Sequence, residues 1–421
     1  MSESLVECTY YVESTTTLHA VADELAGEQT SGTFIKIPGE TSQLTEKFGG
    51  RVLEVSDLGL VPPSLPSRFH VERARAGIVR IGYPAANLGG DLTALLTVIA
   101  GNLFELASLS ACKVIGLRLP AEFTAAHPGP AYGIDGTRQA IGVTTGPIIG
   151  TIVKPNIGLD AEGFRQRVRD LMLADIDFIK DDEVNADPAH LPFAERVRIV
   201  AEETDRAAQK TGRRIPYAFN ISGPAQDLER KHTLVRDNGG QCVMLPVFHQ
   251  GISSLEYLRH LGGLQIHAHR AGFPAVSRSG TLGISFGAWQ QLLQLAGADH
   301  IHVSGLMSKF SEEDDEVAAN IRTIHAGVEG LEHRSIPVLS SGQTVLSARA
   351  TYDAVGSTDV MVLAGGGIIA HPDGAAAGVR SMRQAWQAAL DGDDLGKRAT
   401  SLADSGDTAL NAAIAKFGGH K

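Results

Sequence analysis

Residues 176–183 read IDFIKDDE, an apolar strand that ends in Lys180 and runs directly into Asp181, Asp182 and Glu183. Side chains alternate faces along a strand, so Lys180, Asp182 and the turn residue Glu183 can converge on one point at its end. Oxygen donors gathered there suit a hard divalent cation such as Mg²⁺. A lysine ammonium binds no metal. Lys180 can supply an oxygen only after losing its proton and reacting with CO₂ to become a carbamate. Alone, the tetrapeptide also suits a strand followed by a solvated acidic turn, so its meaning depends on what the rest of the chain sets beside it.

From Pro147 onward the chain keeps one rhythm of short Ile/Val-rich run, polar turn, helix-period stretch and glycine. The runs are PIIGTIVKP (147–155), DFIKDDE (177–183), IPYAFNIS (215–222), CVMLPVF (242–248), LQIHAHR (264–270), HIHVSG (300–305), IPVLSSG (336–342) and DVMVLAGGG (359–367), eight in all. Between them lie patterns such as AEGFRQRVRDLMLA, AERVRIVAEETDRAAQK, FGAWQQLLQLAG and VLSARATYDAVG, with apolar residues spaced by three and four. This alternation predicts an α/β chain built on a closed (β/α)8 TIM barrel, not an open doubly wound sheet. Residues 1–125 have a different texture: a helical LHAVADELAGEQ, a strand-like TFIKIP, alternation near RVLEVSDL and VRIGYP, and a helix over LTALLTVIAGNLFELA. They predict a smaller N-terminal α+β (ferredoxin-like) domain, with the barrel domain over 126–421. A C-terminal helical extension after Gly374 ends in an Ala/Asp/Gly-rich tail that is expected to be loosely held.

Barrels of this kind do their chemistry at the C-terminal ends of the strands. There the sequence sets Lys154 after the first run, Lys180, Asp182 and Glu183 after the second, and Asn220 after the third. His267, His269 and Arg270 close the fifth, His300 and His302 the sixth, Ser340, Ser341 and Gly342 the seventh, and Gly365, Gly366 and Gly367 the eighth. A single strand-end histidine or a GGG turn is ordinary; polar or glycine closures on nearly every strand are hard to assign to packing. Gly365 and Gly366 lack a Cβ and let backbone N–H groups approach an anion, as the loops after strands seven and eight customarily do for phosphate. Arg270 and His302 can hold a second anionic group from the opposite side. A cation between two anion sites fits a small phosphorylated substrate whose carbonyl or hydroxyls chelate it. Lys154 is the candidate proton carrier, and Lys309, in SGLMSKFSEEDDE, lies in a loop long enough to close as a lid.

The chain of 421 residues carries a net charge of −11 with no basic block, which excludes non-specific nucleic-acid and anionic-membrane binding. Cys8, Cys112 and Cys242 are isolated and show no CxxC spacing, which suits a reducing compartment. MSESLVECTYYVES lacks a basic segment followed by an apolar core, and no run of about 18 apolar residues follows. The reading is a cytoplasmic enzyme.

These motifs together resemble the large subunit of ribulose bisphosphate carboxylase over nearly the whole chain. GTIVKPNIGL (150–159) is similar to that family's strand-one lysine motif and DFIKDDE to its metal motif; HAHR (267–270), DHIH (299–302), PVLSSG (337–342) and GGG followed by HP (371–372) match further stretches. The resemblance implies a carbamylated Lys180 that binds Mg²⁺ with Asp182 and Glu183. It carries over Lys154, His269 and Lys309 as catalytic, and Arg270, His302, Ser340, Ser341, Gly342, Gly365 and Gly366 as substrate- or phosphate-binding. EQTSGTF (28–34) and AGNLF (100–104) resemble the segments that bring Glu28, Thr33 and Asn102 into a neighbouring subunit's site, which implies a homodimer with shared active sites.

The departures direct the functional reading. Carboxylases carry a second lysine where this chain has Asn156, a threonine at Ile152, and Gly-Lys-Leu where it has Ser308, Lys309 and Phe310. The match is therefore to RuBisCO-like proteins that do not fix CO₂. Those acting as 2,3-diketo-5-methylthiopentyl-1-phosphate enolases place a basic lysine at the position of Asn102. With that base missing, the resemblance points to sugar-acid catabolism: decarboxylation of 3-oxo-isoapionate 4-phosphate, or carboxyl transfer with hydrolysis. The sulfur-salvage enolase or isomerase and a catalytically silent binding module are the alternatives.

Overall fold

A computed structural model of the chain describes residues 4–32 and 37–419. Thr33 and most of the strand-like TFIKIP segment lie outside the described residues. The chain divides into two compact units: Met1–Pro128 with Gly272–Ala296 and Val328–Glu332, and Gly129–Ala271 with Gly297–Gly327 and His333–Lys421.

The first unit is built on a five-stranded mixed sheet. Strand Leu5–Ser14 lies between Ala74–Pro84 and Leu109–Arg118, antiparallel to both. Arg51–Val61 forms one edge and Leu282–Ile284, parallel to Leu109–Arg118, the other. The period of two is plain in the first strand, where Val6, Cys8, Tyr10 and Val12 are fully buried. Helix Leu18–Glu28, capped by Thr17 Oγ1 on the Ala20 N–H, buries Leu18, Val21, Ala22 and Leu25. The single helix read over 92–107 is broken: it stops at Ala100, Gly101 takes φ −82°, ψ −120°, and a new 3₁₀ turn starts at Asn102. A glycine at that point meets no steric resistance to leaving the helical region.

The second unit is a closed barrel of eight parallel strands. In chain order they are Ile148–Ile152, Phe178–Lys180, Tyr217–Asn220, Cys242–Pro246, Gln265–His269, His300–His302, Ile336–Leu339 and Met361–Leu363. Each lies inside one of the eight apolar runs of the sequence. Ile148, Phe178, Ala218, Met244, Val338 and Leu363 pack together in its apolar core. Gly150 must be glycine here, because a Cβ would stand 2.5 Å from Leu363 Cδ2 and 2.7 Å from the Phe178 carbonyl. The last apolar run is trimmed most: the strand ends at Leu363 and Gly365–Ile369 winds into a short helix.

The C-terminal tail, expected to be loosely held, is docked. Helix Ala409–Phe417 buries Ala409, Leu410 and Ala413, and His371 Nε2 donates to the Ala409 carbonyl at 2.9 Å. The Asp373 N–H donates to His371 Nδ1, which leaves Nε2 to carry the proton. Among the described residues no helix is long and apolar enough to cross a membrane. Leu410 is completely buried, so Leu410→Ala is expected to lower stability by about 2–5 kcal/mol, measured by urea denaturation.

Candidate active site

Lys180 is the last residue of barrel strand two and is 1% exposed. Its Nζ donates to the Asp181 carbonyl at 2.7 Å and lies 3.4 Å from Met244 Sδ and 3.9 Å from Glu183 Oε2. Burial pulls its pKa down, against the opposing pull of Glu183, Asp182 and Asp181. Asp182, 3% exposed, accepts from Lys154 Nζ at 2.7 Å. The same ammonium donates to Asn156 Oδ1 at 2.6 Å. Glu183 Oε2 faces His269 Nε2 at 3.5 Å. Because His269 Nδ1 accepts from the Ala271 N–H, its Nε2 carries the proton that points at Glu183. Lys154, Lys180, Asp182, Glu183 and His269 are thus brought together.

Asn220, at the end of strand three, holds the acidic turn in place by donating to the carbonyls of Asp182 at 3.2 Å and Glu183 at 2.9 Å. Asp181 turns the other way. It is fully buried and accepts from Arg196 Nε at 3.0 Å, the Asn220 N–H at 2.9 Å and the Tyr217 hydroxyl. Sequence reasoning missed this pair. Its signal was present, since Arg196 falls on the buried face of a helix between Phe193, Val197 and Val200.

On the other flank, His302 Nδ1 is 3.3 Å from Ser340 Oγ, and its ring lies 4.2 Å, centroid to centroid, from that of His269. Ser341 is one of four non-glycine residues with positive φ among the described residues, and Ser304 and Met307 are two of the others. Such strain concentrated in the loops after strands six and seven is a mark of functional backbone. Gly366 faces open space, while a Cβ on Gly367 would meet the Gln343 carbonyl at 2.3 Å, which pins the loop after strand eight to the one after strand seven. A Cβ on Gly365 would stand 3.4 Å from Lys154 Cε. Gly342 turns at φ 87°. Lys309 is exposed, its N–H donating to the Ser341 carbonyl at 3.3 Å and its ammonium 5.4 Å from the centre of the Phe310 ring. Arg270 Nη1 donates to Glu312 Oε2 at 2.7 Å, and Asn320 holds the other Glu312 oxygen at 3.2 Å. Glu312 is a second residue the sequence reading did not single out.

In the first unit, Glu28 ends its helix exposed and Asn102 is exposed at the start of the 3₁₀ turn. The Gln29 amide, oriented to satisfy both its neighbours, accepts from the Asn102 N–H at 3.2 Å and donates to the Thr97 carbonyl at 2.9 Å, so Glu28 and Asn102 belong to one end of that unit.

The description of the ribulose bisphosphate carboxylase large chain, N-terminal domain, matches residues 2–123, and that of its catalytic domain matches residues 133–416. The chain belongs to the RuBisCO large-chain family. It is 45% identical over 407 residues to a 3-oxo-isoapionate-4-phosphate transcarboxylase/hydrolase of Xanthobacter autotrophicus, covering 95% of this chain and 97% of that protein. It is 35% identical to a 3-oxo-isoapionate-4-phosphate decarboxylase of Rhizobium etli, covering 98% of this chain and 99% of the relative. A crystal structure of a RuBisCO-like protein from Burkholderia fungorum superposes with a TM-score of 0.91 at 39% identity, covering 99% of this chain and all of that one, 100%. Within the family the chain is RuBisCO-like.

The donor set of this RuBisCO-like chain can be tested for Mg²⁺. Among the described residues no group of three or more His, Cys, Asp and Glu is placed to hold a metal. A site of the family's pattern would take Asp182 and Glu183 as two ligands and would need Lys180, converted to an oxygen donor, as the third. Its environment fits that conversion: burial favours the neutral amine, the form that adds to CO₂, and Glu183 lies beside it. The whole corner leans on the Asp181–Arg196 pair. Arg196→Met would strand a buried carboxylate, and is expected to cost about 3–5 kcal/mol of stability, measured as a shift in the guanidinium unfolding midpoint.

Proposed function

We propose that this chain is a Mg²⁺-dependent enzyme that cleaves a carbon–carbon bond in 3-oxo-isoapionate 4-phosphate, with Lys180 carbamylated and with Asp182 and Glu183 as its fellow ligands. The observation that carries the reading is the convergence of Lys154, Lys180, Asp182, Glu183 and His269 at one barrel mouth. Of the two outcomes in the named relatives, carboxyl transfer with hydrolysis is favoured over simple decarboxylation, because identity is 45% to the transcarboxylase/hydrolase and 35% to the decarboxylase.

The chemistry divides among the chain's own groups. Bound Mg²⁺ supplies Lewis acidity toward the keto oxygen. Release of the carboxyl group as CO₂ from a β-keto acid leaves the bonding electron pair on the α carbon as an enediolate, which cationic surroundings stabilise. In carboxyl transfer that CO₂ bonds to the former keto carbon, water adds to the ketone this creates at the α carbon, and the bond between the two carbons breaks to give two acids. Lys154, steered by Asp182 and Asn156, is the donor that protonates the carbanion left by that cleavage, or the α carbon itself where CO₂ is simply released. His269, with its Nε2 proton aimed at Glu183, is a second proton carrier at the same face. Arg270 holds one anionic end, and the Ser340, Ser341, Gly342, Gly365 and Gly366 backbone and hydroxyls, with His302 behind Ser340, hold the phosphate. Lys309 closes over the mouth. Glu28, Thr33 and Asn102 of a second subunit complete the site, so the working form is a homodimer.

Asn156 supports the non-fixing reading. Its Oδ1 accepts a hydrogen bond from Lys154 Nζ at 2.6 Å, where the carboxylase pattern sets another cation. The test is ¹³C NMR of carboxyl-labelled 3-oxo-isoapionate 4-phosphate with Mg²⁺ and bicarbonate. Two acids are the expected products, labelled CO₂ would mean plain decarboxylation, and turnover of a methylthio-sugar phosphate with the keto acid left untouched would refute the proposal. Lys180→Ala and chelation of Mg²⁺ are each expected to reduce turnover at least about a thousandfold, as removal of a principal electrostatic group does.

A further inference from the structure

Thr137 lies on helix Gly133–Ile141, which precedes the first barrel strand and packs Ile134 and Ile141 into the barrel's apolar core. Its Oγ1 is 3.1 Å from His300 Nε2. From there a line of contacts climbs the barrel interior. His300 Nδ1 is 3.1 Å from His267 Nδ1, His267 Nε2 is 2.7 Å from His302 Nε2, and His302 Nδ1 is 3.3 Å from Ser340 Oγ. His300 opens strand six and Ser340 follows strand seven, so the line joins the N-terminal end of the strands to the mouth. Thr137, His300 and His267 are 0% exposed and His302 is 1% exposed.

Burial keeps the three imidazoles neutral: it drives His267 and His302 well below the usual histidine range and His300 down to about 3. A neutral imidazole offers one N–H and one lone pair. Each ring that accepts at one nitrogen must therefore donate from the other, and the whole line has two arrangements that differ in direction. The Thr137 end decides between them. Among the described residues His300 is the hydrogen-bond partner of its hydroxyl. Donating to His300 uses the O–H, whereas accepting from it would strand a buried donor, and such orphans are rare. The sulfur neighbour agrees: the Cys242 thiol donates to the Val243 carbonyl at 3.7 Å and leaves its sulfur 4.0 Å from His300 Nδ1, as a weak acceptor for that N–H.

We infer that Thr137, His300, His267, His302 and Ser340 form one directional relay, in which Thr137 is a positioning residue that fixes the His302 proton on Nδ1. His302 then donates to Ser340 Oγ, and the Ser340 hydroxyl, whose other neighbour is Ser341 Oγ at 3.5 Å, can turn its own proton toward an anion at the mouth. In the reverse direction Ser340 would spend that proton on His302 and present only lone pairs, which repel an anion. The relay itself is independent of the proposed function; the effect on anion binding rests on that reading, which sets the phosphate at Ser340.

The test uses full-length protein labelled with ¹⁵N-histidine, since ring ¹⁵N shifts separate protonated from bare nitrogens without any substrate. His302 is expected to show a protonated Nδ1 and a bare Nε2 in the parent protein and in Thr137→Ser, and a mixed or reversed pattern in Thr137→Val. A His302 proton on Nε2 in the parent overturns the relay, and needs no variant to fold. So does a Thr137→Val spectrum identical to the parent's. Inorganic phosphate is the second probe, and Thr137→Val is expected to bind it about fivefold more weakly, the worth of one neutral hydrogen bond, with Thr137→Ser restoring affinity. Shifted tautomers with unchanged phosphate affinity would uphold the relay and overturn the placement of phosphate at Ser340.

Discussion

Everything at the barrel mouth answers to the burial of one amine. Taking a lysine ammonium out of water is costly by several kcal/mol unless partners replace the lost hydration. Lys180 has a backbone carbonyl at 2.7 Å, a thioether, and a carboxylate at a distance of 3.9 Å, which is too little to hold a full charge comfortably. The balance tips the group toward its neutral form. The acidic residues that follow cannot relax toward the amine, because their backbone is clamped by the Asn220 amide and anchored by Asp181 on Arg196. Asp182 is occupied by Lys154. A poised, under-neutralised lysine is the outcome, and it is what carbamate formation needs.

The same logic explains why the interior beside this corner is lined with histidines. Around Phe178 the barrel holds His267, stacked on the ring at 5.7 Å between centroids, and His300, edge-on at 5.5 Å. Neutral imidazoles fill volume as aromatic side chains do, yet they satisfy one another's polar atoms. A wholly aliphatic filling would pack as well and would leave Ser340 and His302 with no fixed hydrogen-bond sense.

Most of the architecture was legible in the chain because parallel barrel strands are buried on both faces and so read as continuous apolar runs. The polar residues closing those runs stand out against them, which is why Lys154, Lys180, Asp182, Glu183, His269 and His302 could be picked out. What stayed hidden depends on contacts across the sequence. Asp181 looked like one more acidic turn residue until Arg196, fifteen positions on, was seen to turn inward. Glu312 sat in SEEDDE, a run that reads as a solvated lid, and only the fold selects it for Arg270. The helix break at Gly101 was lost in a strongly apolar window, and the tail misled by composition: small residues such as Ala409 and Ala413 suit close helix packing as well as disorder.

The charge balance of the mouth bears on how an anionic substrate is admitted by a chain of net charge −11. Two of its cations are held by the chain's own carboxylates, Lys154 by Asp182 at 2.7 Å and Arg270 by Glu312 at 2.7 Å. Neither pair projects a strong bare field into solvent, so long-range steering contributes little to capture. On the proposed function, a substrate anion would compete with Glu312 for the guanidinium at contact. Burial pushes the Glu312 pKa up, against the pull of Arg270, so its carboxylate is less stable there than an exposed one. On that reading the Arg270–Glu312 pair would favour a charged substrate over a neutral one, because only an anion can replace the carboxylate on the guanidinium.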